Sequence, residues 1–224
     1  MARYGSRDTK PWEAWRCRLG RGPAADWPGH LQEGLAEQLK AEEPESVDGI
    51  LRYTMSSARW AVRDWDGAIR AAQRTLEIYP DNKSVALWLA QCLVAKGEYV
   101  QGLAAIREAQ AVSKRQELTA LEATAYALMG RKDEARKVLG ELLELEGSEQ
   151  HVNPYFGARV YAALDERAAA LDWLQKTIDG GSGFLFVPDG GGLRTDWAWD
   201  GLTNETRYWQ LCAQIGMGKD QWPR

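Results

Sequence analysis

Two histidines, His30 and His151, and three cysteines, Cys17, Cys92 and Cys212, are all that 224 residues supply of the commonest metal-binding and nucleophilic side chains. The histidines stand far from each other and from any His-Glu-x-x-His or Cys-x-x-Cys spacing, so no metal, no cofactor and no catalytic residue is expected. Cysteines that are odd in number and widely separated exclude a disulfide framework and fit a reducing cytosol. Cys92 falls inside a helical pattern and is expected to be a buried small hydrophobe, whereas Cys17, between Arg16 and Arg18, is expected at the surface. No apolar run approaches the ~18 residues of a membrane helix. The first twenty residues carry Arg3, Arg7, Lys10, Arg16 and Arg18 without the apolar stretch of a secretory signal, which predicts a cytoplasmic protein. Charge of one sign is lacking too. A net charge of −4 argues against a protein made to grip duplex nucleic acid.

What is present is a folding chain with a period. The sequence is 45% hydrophobic and 27% charged, enough apolar material for a core that needs no staples. Four segments share a small residue in one helix, a tight turn, and a small residue opening the next helix. Those second small residues are Ala68, Gly102, Ala135 and Ala170, spaced 34, 33 and 35 apart. A spacing of ~34 is that of helix–turn–helix repeats. Antiparallel helices approach closely only where one offers Ala or Gly to the other. Gly97 and Gly130 suit the reversing turns, because left-handed backbone angles strain them little, and Arg63 and Asp165 stand at the equivalent places in the outer units. Apolar positions recur at three and four, without two-residue alternation.

From about Gly49 to Ile178 the chain therefore resembles tetratricopeptide repeats, with the repeat-ending string Ile78-Tyr-Pro-Asp-Asn82. The resemblance implies an all-α fold: a right-handed α–α superhelix of about four hairpins, with a capping helix and an irregular arm. Residues 1–30, with six basic against two acidic side chains up to Gly22, form a basic arm holding Trp12, Trp15 and Trp27. Residues 31–179 form the array, its first helix interrupted at Pro44. Residues 180–224 form a glycine-rich loop and a cap whose helix runs from about Asn204 to Ile215 and stops at Gly216. The tail is similar to a recurring ending of bacterial tetratricopeptide regulatory proteins, matching it at Asp196, Trp199, Asp200, Leu202, Arg207 and Tyr208. It implies a regulatory setting and makes Asp196 and Asp200 turn-forming, helix-capping residues. The pair could otherwise suggest a glycosidase dyad beside an aromatic platform, but the end of a solenoid offers no deep cleft for one.

Projecting the first helix of each unit onto the inner wall selects a candidate partner-binding groove. It comprises Tyr53, Ser57 and Trp60; Leu87, Gln91 and Val94; Glu117, Ala120 and Thr124; and Tyr155, Arg159 and Ala162. This wall is apolar and aromatic and suits an amphipathic helix or an extended hydrophobic segment of another protein. The Trp12–Trp15 arm or the Phe184-Leu-Phe-Val187 stretch could fill it equally well from within the chain. The leading expectation is a non-catalytic interaction scaffold or adaptor. One alternative is a small-ligand sensor or enzyme with a pocket between array and cap, built from Arg194, Asp196, Trp197, Trp199 and Arg207. Another is RNA binding through helical repeats, disfavoured by the acidity of the array.

Overall fold

The computed structural model describes Arg59 and residues 63–113, 115–144, 152–186, 192–193 and 196–218. The basic arm, His30, His151, Cys17, Tyr53, Ser57, Trp60 and Arg194 lie outside the described residues.

Among the described residues eight α-helices follow one another: α1 Trp65–Ile78, α2 Lys83–Lys96, α3 Tyr99–Val112, α4 Gln116–Leu128, α5 Lys132–Glu144, α6 Pro154–Ala163, α7 Arg167–Asp179 and α8 Thr206–Gln214. Two short 3-10 turns, η1 Gly183–Phe186 and η2 Trp197–Leu202, lie between α7 and α8. Local chemistry sets several starts. Asp64, Asn82 and Asn153 accept the amides of Gly67, Val85 and Tyr155 at 2.9, 3.1 and 3.1 Å, and Pro154 occupies the first turn of α6.

Helices α2 and α3, α4 and α5, and α6 and α7 pair as hairpins, α1 packs on α2, and α4 lies between α2 and α6. This is the stacked all-helical solenoid that the period predicts. The small residues of the repeat pattern sit at the contacts: Ala68, Ala90, Ala123, Ala135, Ala158 and Ala170 all have 0% exposure. Gly157 does the same work unannounced, since a Cβ there would lie 2.6 Å from the Trp173 ring across the α6–α7 contact.

The turns confirm the register. Arg63, Gly97, Gly130 and Asp165 have φ of 61°, 90°, 79° and 61°, so the same left-handed residue reverses the chain in every unit. Residues after α7 do not form a separate body. Leu185, Leu193, Trp199, Leu202 and Tyr208 join the core cluster that runs through α2 to α7. The final helix is slightly shorter than predicted and ends, as predicted, before a left-handed Gly216 with φ of 76°.

Candidate functional site: the inner wall and the segment that covers it

The first helices of three successive units, α2, α4 and α6, stand side by side, and the wall residues predicted on them are Leu87, Gln91 and Val94; Glu117, Ala120 and Thr124; and Tyr155, Arg159 and Ala162. Most of it is covered. Leu87 and Gln91 are each 8% exposed, Thr124 1%, Tyr155 1% and Arg159 5%, while Glu117 and Ala162 are half-buried. Val94 turns inward onto Gly102, whose Cβ position lies 2.8 Å from Val94 Cγ2, and so closes its own hairpin. Thr124 Oγ1 donates to the Ala120 carbonyl at 2.8 Å, satisfying its hydroxyl within α4. Glu117 accepts from Arg115 at 2.8 Å.

At the α6 end the cover is the chain's own tail. Phe184 of η1 stacks on Tyr155 with ring centroids 5.7 Å apart, and Trp199 of η2 meets the same ring edge-on at 5.4 Å. Of the two internal candidates, the stretch beginning at Phe184 thus lies against the wall. Asp196, 2% exposed, sits where wall and tail meet. Its Oδ2 accepts the Tyr155 hydroxyl at 2.9 Å and lies 3.3 Å from Arg159 Nε, and its Oδ1 accepts the Ala198 amide at 3.1 Å. Burial pushes the Asp196 carboxyl above its ordinary range, although Arg159, the Ala198 amide and the Tyr155 hydroxyl all pull it down. Burial, with Asp196 alongside, holds the Tyr155 phenol far above its usual value, so this hydroxyl remains a donor. Arg159 spreads over the Trp197 ring at 5.8 Å.

The tail also reaches the other end of the array. Trp197 packs against the first cluster, formed by Ala68, Ile69 and Ala72 of α1 with Val85, Trp88, Cys92 and Leu93 of α2. Arg63, in the first turn, donates two hydrogen bonds of 2.7 Å to the two oxygens of Asp200. Ion pairs line this turn-bearing edge: Lys96 with Asp66 at 2.7 Å and with Glu98, Arg136 with Glu166 at 2.9 Å, and Arg167 with Asp165 at 2.8 Å and Glu205 at 3.1 Å.

The residues of the alternative pocket do not all converge. Asp196, Trp197 and Trp199 are neighbours, but Arg207 turns outward to Asp172 of α7 at 2.7 Å. A small cavity of about 70 Å³ lies between η2 and α8, lined by Leu193, Asp196, Trp199, Asp200, Thr203, Tyr208 and Trp209. Pockets for metabolites run to roughly 300–1,000 Å³, so this one has room for a few waters. Among the described residues no group of three or more His, Cys, Asp or Glu is placed to hold a metal ion. No helix among them is long and apolar enough to cross a membrane. Cys92 is buried and unpaired, as predicted, and burial raises its thiol well above the reactive range.

Sequence reasoning missed Arg63 and Asp200 as a pair. Arg63 registered only as a departure from turn glycine, and Asp200 as a capping residue. The signal that was available is that arginine is poorly suited to a left-handed turn unless its side chain has work to do.

Residues 62–142, spanning α1 to most of α5, match the family model described as "Anaphase-promoting complex, cyclosome, subunit 3". That family is built of tetratricopeptide-like repeats, and the match supports repeats of this type over that part of the chain. No curated protein matches the chain. Repeats of this type generally serve as protein-interaction scaffolds and are generally not enzymes.

Proposed function

We propose that this chain is a non-catalytic scaffold or adaptor of the cytoplasm that holds a helical or extended apolar segment of another protein on its concave wall. The observation that carries the reading is the stack of first helices, α2, α4 and α6, aligned to give one continuous inner face. Of the described wall residues, half-buried Glu117 is the one a partner would meet first, with Leu87 and Gln91 beneath. Tyr155 and Arg159 form the part already occupied by the chain's own tail. Backbone stacking of this kind presents rigid positions, and a rigid wall loses little entropy when it binds an extended chain.

Site-resolved photo-crosslinking tests the reading. A benzophenone side chain is placed at Glu117 on the wall or at exposed Arg107 on α3, on the outer face. Partner adducts are then compared in native lysate. The expected result is a discrete adduct from position 117 and none from 107. Adducts from 107 alone would overturn the concave-wall reading.

A further inference from the structure

We draw no further inference here: the strongest candidate, the buried Arg159 guanidinium on the inner face of α6, whose Nε and Nη2 make no hydrogen bond, is already ion-paired with Asp196 at 3.3 Å beside the Trp197 ring and belongs to the site described above.

Discussion

Asp196 shows how much one side chain can carry. It caps η2 through the Ala198 amide, anchors the tail on α6 through Tyr155, and offsets the buried charge of Arg159. These roles pull against burial, which disfavours the ionised form, and burial is the largest influence on its titration. In the unfolded chain the group titrates near the ordinary aspartate value of ~3.9, and in the fold it titrates higher. The folded protein therefore holds this proton more tightly. Its contribution is complete below the unfolded value and is lost as pH rises through the folded one. D196N keeps an acceptor for the Ala198 amide, turns an NH2 donor toward the Tyr155 hydroxyl oxygen, and does not titrate. The stability difference, wild type minus D196N, measured by urea unfolding, should therefore shrink as pH is raised from the acid side toward neutrality. A difference that grows with pH would show pairing with Arg159 outweighing burial. The capping role of Asp196 was legible from its resemblance to known endings. Its bond to Tyr155, 41 residues earlier, was not. Local pattern specifies what a residue does to its own turn and is silent about what tertiary folding brings against it.

Helices and their turns were the most legible level. The spacing of small residues depends on how closely two helices can pack, and it located the hairpins and their left-handed turns, while the stop at Gly216 located the end of the final helix. Gly157 escaped because Ala158 beside it already filled the small-residue pattern, and the Trp173 ring that requires glycine there is not adjacent in sequence. Two glycines in helices make opposite predictions from the same substitution. At Gly140 in α5 a Cβ meets nothing within 4 Å, so Gly140→Ala should stabilise by about 0.5–1 kcal/mol through helix propensity. At Gly157 the same methyl collides with Trp173 at 2.6 Å, where overpacking costs roughly 1–3 kcal/mol and exceeds that gain. Gly157→Ala should therefore lower the thermal midpoint while Gly140→Ala raises it. Equal effects at both positions would mean that the α6–α7 contact is looser than described.

At the scale of the molecule, repetition explains the curved stack but not its closure. A repeat protein touches only its neighbours along the chain, and its stability is then close to a sum of units and interfaces. Here the tail adds contacts from the last unit back to the first, through Arg63–Asp200 and Trp197, so the terminal units are coupled as well. Nothing periodic announces such a contact, because it is made once and by residues outside the repeat. The wall was projected from the helical period, but its occupancy depends on a non-repeating segment, and only the assembled fold shows Phe184, Asp196 and Trp199 lying on it.

The closure can be measured directly as a distance. In a Cys17→Ser background, spin labels at exposed Asp66 in the first turn of α1 and at exposed Gly201 in η2 report the separation of the first unit from the tail by pulsed electron resonance. A tail that spans the concave mouth gives one short, narrow distance that broadens in R63G. A long or broad distribution in the wild type, unchanged by R63G, would contradict a tail held across the wall.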